Sequence, residues 1–237
     1  MEHLIKLAPM FLLVVALGVF LYRGLLYSRR DWQRERMNEL SNVAKKLGFR
    51  FKPDSDFQLA QQFGFLNLLR QGDTRFAFNV MSGRFRDHTV TAFDYHFCTS
   101  SENRGRISIQ QFYLTVLTLE MECSIPEVTI ARESWKSKLM GAVGWPDINF
   151  ESAEFSNGFC VRSKDKKFAY DICNGRVMEY LLDHRDLNIE IEGGTLALVF
   201  TELLPAAQIE MNLRQLVEIR SRLPEYLFNS LSPGGSP

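Results

Sequence analysis

Residues 7–22 read Leu-Ala-Pro-Met-Phe-Leu-Leu-Val-Val-Ala-Leu-Gly-Val-Phe-Leu-Tyr, sixteen in a row without a charge. Arg23 interrupts, and Gly24-Leu25-Leu26-Tyr27 follows. At ~1.5 Å per residue, Leu7 to Leu26 would span about 30 Å as a helix, the thickness of the hydrocarbon layer. Such a helix has no polar face, so it does not suit the surface of a soluble core. Arg23 lies near its end, where a long side chain can reach the headgroups. Tyr22 and Tyr27 suit the interfacial zone. A cleaved leader would carry a basic n-region and a small-residue cleavage site, whereas here Glu2 offsets Lys6 and the run exits into Tyr-Arg-Gly-Leu-Leu-Tyr-Ser-Arg-Arg. The expectation is a retained single-pass anchor over residues 1–27, since no second apolar run of this length occurs.

Charge then sets the expected orientation. Arg23, Arg29, Arg30, Arg34 and Arg36 crowd the C-terminal flank of the apolar run. The positive-inside rule places the body in the cytoplasm and the short N-terminus outside. Between Arg23 and Lys52 there are nine Lys/Arg against three Asp/Glu, while residues 53–237 carry a net −6. An anionic leaflet attracts the first and repels the second. The five arginines are therefore the candidate membrane-surface contacts, and anionic lipid headgroups the candidate ligands. A purely topological role for them is the competing reading. Cys98, Cys123, Cys160 and Cys173 form no CxxC and suit a reducing compartment, although an even count also permits two disulfides.

The domain plan follows: anchor 1–27, a basic juxtamembrane helix 28–52, an α+β body 53–231 and a polar tail 232–237. Trp32, Met37, Leu40, Val43, Ala44 and Leu47 give helical spacing over Asp31–Leu47, with Gly48 as its cap. Leu59–Leu69 reads as a short helix. Arg75–Met81 alternates, with Phe76, Phe78 and Val80 on one side, and Ser82-Gly83 reads as a turn. In Thr89–Cys98, Phe93, Tyr95 and Phe97 share one face. Ser101–Arg106 reads as a polar loop. Ile107–Met121 is apolar on both sides, as in a central strand. Pro126 reads as a break, Val128–Ile130, Ile148–Phe150 and Phe159–Arg162 as short strands, and Trp135–Val143 as a helical turn or two. Lys166–Asp183 reads as helical with a defect at Asn174-Gly175, Leu187–Thr201 as a hairpin turning at Gly193-Gly194, and Pro205 to Leu223 as a helix. Neighbouring strands with flanking helices point to an α+β fold with a mostly antiparallel sheet.

Chemistry is sparse. The sequence has no P-loop, GxGxxG, GxSxG, HExxH or EF-hand pattern, and the balance of 28 Lys/Arg with 28 Asp/Glu is not that of a nucleic-acid binder. The basic turn Lys164–Lys167 lacks the interleaved aromatics that nucleic acid would stack on. Asp94, His96 and Cys98 alternate with Phe93, Tyr95 and Phe97, so three metal-ligand types share a strand face. The simpler reading is that they are outward polar positions, and likewise Glu190 and Glu192 the solvated face of a hairpin. No catalytic, cofactor-binding or metal residue is assigned.

Leu47-Gly48-Phe49-Arg50-Phe51, Phe93-Asp94-Tyr95 before a long strand, and Phe155-Ser156 leading to Phe159-Cys160-Val161 together resemble a group of bacterial one-pass membrane proteins. The resemblance implies an inner-membrane protein with a soluble domain and no known reaction. The function expected is therefore a non-enzymatic interaction domain that binds or assembles a protein partner at the bilayer. Two alternatives are a pleckstrin-like lipid-binding module, and a hydrolase whose triad is not sequential.

Overall fold

The computed structural model describes residues 31–103, 105–132 and 147–229. The expected anchor and Trp135–Val143 lie outside them. Among the described residues no helix is long and apolar enough to cross a membrane. The chain divides into two compact units, Met1–Asn42 and Val43–Pro237.

Within the first unit, and running on into the second, helix α1 covers residues 31–47. Arg36, Leu40 and Ala44 form its buried stripe at fourfold spacing. Gly48, at φ +70°, closes it. The Gly48 N–H donates to the Lys45 carbonyl and the Phe49 N–H to that of Ala44, the two bonds of a Schellman cap.

The second unit is built on one antiparallel sheet. Its strands are β1 (Arg50–Lys52), β2 (Asp73–Phe85), β3 (His88–Asn103), β4 (Arg106–Arg132), β5 (Phe159–Ser163) and β6 (Ile189–Phe200). The order is β1-β2-β3-β4-β5, with β6 also paired to β4. Since β1 joins this sheet, the body begins before Pro53. β4 is the spine: residues 106–119 pair with β3, residues 128–132 with β5, and β6 runs beside residues 115–130. Burial on both faces from Leu114 to Leu119 marks its central position, whereas the first five residues of the expected central strand Ile107–Met121 are exposed; the strand continues through Pro126 to Arg132. Pro126 is tolerated because it lies where the register against β6 slips.

Two expected turns are strand instead. β2 runs through Ser82-Gly83 and turns at Arg86-Asp87, whose φ values of +45° and +67° make a type I′ turn. β6 runs unbroken through Gly193-Gly194. Gly193, at φ +59°, faces Ile125 between two register shifts, so the glycine pair accommodates an irregular stretch of β4 rather than a reversal of the chain.

Helices flank the sheet. α2 (Phe57–Gln62) is capped by the Asp56 carboxylate on the Leu59 N–H and is shorter than expected; turns follow from Phe63 to Arg70. This segment supplies Phe63, Leu66, Leu68 and Leu69 to a core with Phe93, Tyr95, Phe97, Leu114, Val116 and Val199. The Tyr95 hydroxyl donates to the Leu69 carbonyl at 2.8 Å. α3 (Ala153–Gly158) precedes β5. α4 (Lys166–Ile172) and α5 (Gly175–Asp183) divide at Asn174, which caps the second, as the expected defect implied. α6 (Ile209–Arg222) packs on β4 and β6, and α7 (Tyr226–Asn229) follows. The α+β class and the mostly antiparallel sheet are as expected.

Candidate interaction surface

A β-bulge organises the sheet face opposite the Phe93/Tyr95/Phe97 core. Between Phe78↔Asp94 and Met81↔Ala92 the register of β2 slips, with Asn79 at φ +50°. The slip leaves Phe76 and Phe78 beside His96 and Tyr113 but turns Val80 into the Phe93 core. It also aims the Asn79 amide at Asp94, donating to Oδ2 at 2.9 Å. Thr115 Oγ1 donates to Asp94 Oδ1 at 3.0 Å and accepts the Leu204 N–H at 3.0 Å. Asp94 is therefore enclosed by β2, β4 and the segment after β6, at 1% exposure. It does not face solvent as its alternation suggested.

Next along the same face lies an aromatic row, exposed at Phe57 and buried at His96. Phe57, 62% exposed, lies 5.7 Å from Phe76. Phe76 stacks on His96 at 4.7 Å, His96 meets Tyr113 at 4.7 Å, and Phe78 meets Tyr113 edge-on. Phe76, Phe78 and Tyr113 are half-buried. Around the buried His96, the half-buried Phe76, Phe78 and Tyr113 and the exposed Phe57 form an aromatic patch, and exposed apolar patches mark interaction sites. Sequence reasoning missed Phe57 and Tyr113, because they come from an α2 position and from β4 and meet only in the fold.

Beyond this row the sheet narrows to a ribbon. β3 pairs with β2 only as far as Cys98, and β4 with β6 only from Thr115. The Thr99–Asn103 and Arg106–Gln110 pairs have no third strand among the described residues. Five residues project about 17 Å. Ile107 and Ile109, 73% and 66% exposed, lie near its end.

The metal reading finds no site. Among the described residues no group of three or more His, Cys, Asp or Glu is placed to hold an ion. His96 Nδ1 lies 3.2 Å from the Thr74 carbonyl, which can only accept, so Nδ1 carries the proton. Nε2 then accepts from Cys98 Sγ at 3.7 Å. A nucleophile–base pair needs a closer approach and free donors for an oxyanion. Around Cys98 the backbone is engaged by Asp73 of β2 and Gln111 of β4. The hydrolase alternative therefore gains no site from this pair. The pleckstrin-like alternative needs a closed sheet, and among the described residues β1 pairs only with β2.

Glu190 is the second departure from expected solvation. It is 3% exposed and accepts the backbone N–H groups of Asn67 at 2.5 Å and Leu68 at 3.3 Å. Burial pushes its carboxyl up to about 7, against the lowering effect of those two amides. Asn67 also donates its side-chain amide to Glu127 and Thr129, so the group fastens the Phe63–Arg70 turns to the sheet. Cys98, half-buried, and the buried Cys123, Cys160 and Cys173 form no disulfide.

Of the expected membrane contacts, Arg23, Arg29 and Arg30 lie outside the described residues. Arg34 is exposed, whereas Arg36 is 7% exposed and engaged by a partner.

No family model and no curated protein matches the chain. Among solved structures, it is similar to the crystal structure of the mycobacterial trehalose monomycolate transport factor A, TtfA. The TM-score is 0.56 and the identity 16%, over 81% of this chain and 97% of that chain. The two share a fold.

Proposed function

We propose that this chain is a membrane-tethered, non-enzymatic docking module that binds a protein partner at the bilayer through the Phe57/Phe76/Phe78/Tyr113 surface. The observation that carries the reading is the aromatic row, with Phe57 exposed and Phe76, Phe78 and Tyr113 half-buried. Aromatic side chains bury large area at little entropic cost, and clusters of them form the centres of protein interfaces. The solved structure that shares this fold is that of a transport factor, which is compatible with a non-enzymatic role.

The tether is the apolar run 7–26, with the body cytoplasmic because of the arginines that follow it. Arg23, Arg29, Arg30 and Arg34 add contact with anionic headgroups. A reporter active only in the cytoplasm, fused after Ser236, is expected to be active; activity from an exported reporter alone would reverse the orientation. The docking reading is tested by purifying the full chain from detergent-solubilised membranes and identifying what accompanies it. Wild type is expected to retain a stoichiometric partner that the doubly substituted Phe57→Ser/Tyr113→Ser chain loses. Identical recovery from both would reject this surface.

A further inference from the structure

The two outer edges of the β3–β4 ribbon offer different things. Residues 99–103 read Thr-Ser-Ser-Glu-Asn, whereas residues 107–114 read Ile-Ser-Ile-Gln-Gln-Phe-Tyr-Leu, without charge or proline. Charge and proline are the means by which proteins protect an edge. Among the described residues no strand pairs with the outer side of β4 before Thr115, where the pairing with β6 begins. One bond fixes the direction of the backbone groups along it. The Thr115 N–H points to the β6 side, donating to the Glu202 carbonyl at 3.2 Å. Backbone groups alternate sides along a strand, and the β3–β4 register does not slip between residues 106 and 119. Ile109 and Ile107 therefore turn their N–H and C=O groups to the same outer side.

Side chains alternate as well. Ile107 and Ile109 are exposed on one face. On the other, Phe112 and Leu114 join Leu68, Phe97, Thr99 and Thr201 around a cavity of about 270 Å³. β6 ends at Phe200, one residue before Thr201, so the cavity sits where a continued neighbour of β4 would pass. An open row of backbone groups beside a side-chain slot is the geometry of strand addition: the main chain supplies affinity and the slot supplies selectivity.

We infer that the outer edge of β4 over Ile107–Leu114 receives an extended segment of another protein as an added strand, with one large apolar side chain entering the cavity beside Phe112. Residues of that segment opposite Ile107 and Ile109 share the isoleucine face, so they too are apolar. A second copy of this chain does not fit. Two β4 edges paired antiparallel about a two-fold axis set even-numbered residues opposite even-numbered ones. Any such register that pairs Ile107 within the open edge puts a polar residue such as Ser108 or Arg106 opposite Phe112. A polar side chain in an apolar slot loses its water without gaining a partner. The site lies across β3 from Phe57 and Phe76 and does not need them.

The test pans the full chain, purified in detergent, against phage-displayed random linear dodecapeptides. Enriched sequences are expected to be apolar at alternate positions, with one large apolar residue on the opposite face. The best of them, made synthetically, is measured by fluorescence anisotropy. Ile109→Pro should weaken its binding roughly tenfold, the factor of one lost hydrogen bond. The fold should stand, because proline is tolerated where the N–H it removes faces outward, and an unchanged circular dichroism spectrum checks this. Thr99→Phe, which fills the cavity, should weaken binding by a similar factor, but not that of a peptide whose large apolar residue is replaced by alanine. Phe57→Ser should bind as wild type does. The Ile107 and Ile109 amides should exchange with solvent rapidly in the free chain and slowly with peptide bound. No enriched sequence, binding indifferent to Ile109→Pro, or binding lost in Phe57→Ser overturns the edge site; the last would leave the aromatic row standing. Slow exchange of these amides in the free chain overturns it too. At every protein concentration, that result means the edge is already covered by the chain itself; only at high concentration, by a second copy.

Discussion

Glu190 accepts the backbone N–H of Asn67 at 2.5 Å, joining positions 123 residues apart in the chain. The bond puts a carboxylate where burial opposes its charge, and its pKa is raised from 4.5 to about 7. Glu127 adds to the rise and Arg70 opposes it. A raised carboxyl means that the folded state holds a proton the unfolded state has released. Stability should therefore fall as pH rises from about 4.5 to about 7 and level off above. The full effect is on the order of 3 kcal/mol. Glu192, also raised by burial, acts in the same direction. Asp56 and Glu210, both lowered by hydrogen bonds from lysine or arginine, add losses only below their ordinary range. Denaturant midpoints at pH 5 and pH 8 should converge in Glu190→Gln, and an undiminished difference would place the titrating group elsewhere.

Asp94 organises the opposite face. Asp94→Ala leaves the Asn79 amide and the Thr115 hydroxyl without their shared acceptor in a buried setting. The expected loss is about 3 kcal/mol, measured by equilibrium unfolding. His96→Ala should weaken the ring stack without altering metal content, since the purified chain is expected to hold no stoichiometric zinc. About one zinc per chain, lost in His96→Ala, would contradict that reading.

What the sequence revealed and what it hid divide by distance along the chain. Helix α1 and its Gly48 cap, the buried Leu114–Leu119 part of the central strand and the break at Asn174 depend on neighbouring residues, and periodicity exposed them. The burial of Asp94 depends on the segment at Leu204, and that of Glu190 on Asn67 and Leu68, so alternation alone left both in solvent. The bulge at Asn79 broke the expected side shared by Phe76, Phe78 and Val80. Arg86-Asp87 carries no glycine to announce a type I′ turn, while Gly193-Gly194 announces a turn that the pairing with β4 overrides. The five-ring row was hidden for the same reason, since its members come from α2, β2, β3 and β4.

Gly72 holds the chain against β3. It sits at φ +65°, and a Cβ there would lie 2.2 Å from the Cys98 carbonyl oxygen. Neither the conformation nor the backbone contact can accommodate a methyl group cheaply. Gly72→Ala should cost several kcal/mol, beyond the roughly 1 kcal/mol of positive-φ strain alone. A loss confined to that smaller value, read from denaturant unfolding, would show that the segment moves away from Cys98 at little cost.

Site-specific photocrosslinking in intact membranes tests the docking account most directly. A photoreactive residue replaces Phe57 or Tyr113 on the aromatic row, or the exposed Glu179 of α5 as a control. The account predicts that positions 57 and 113 yield the same discrete protein adduct, and that position 179 does not. An adduct from position 179 alone, or the same products from all three positions, would contradict it.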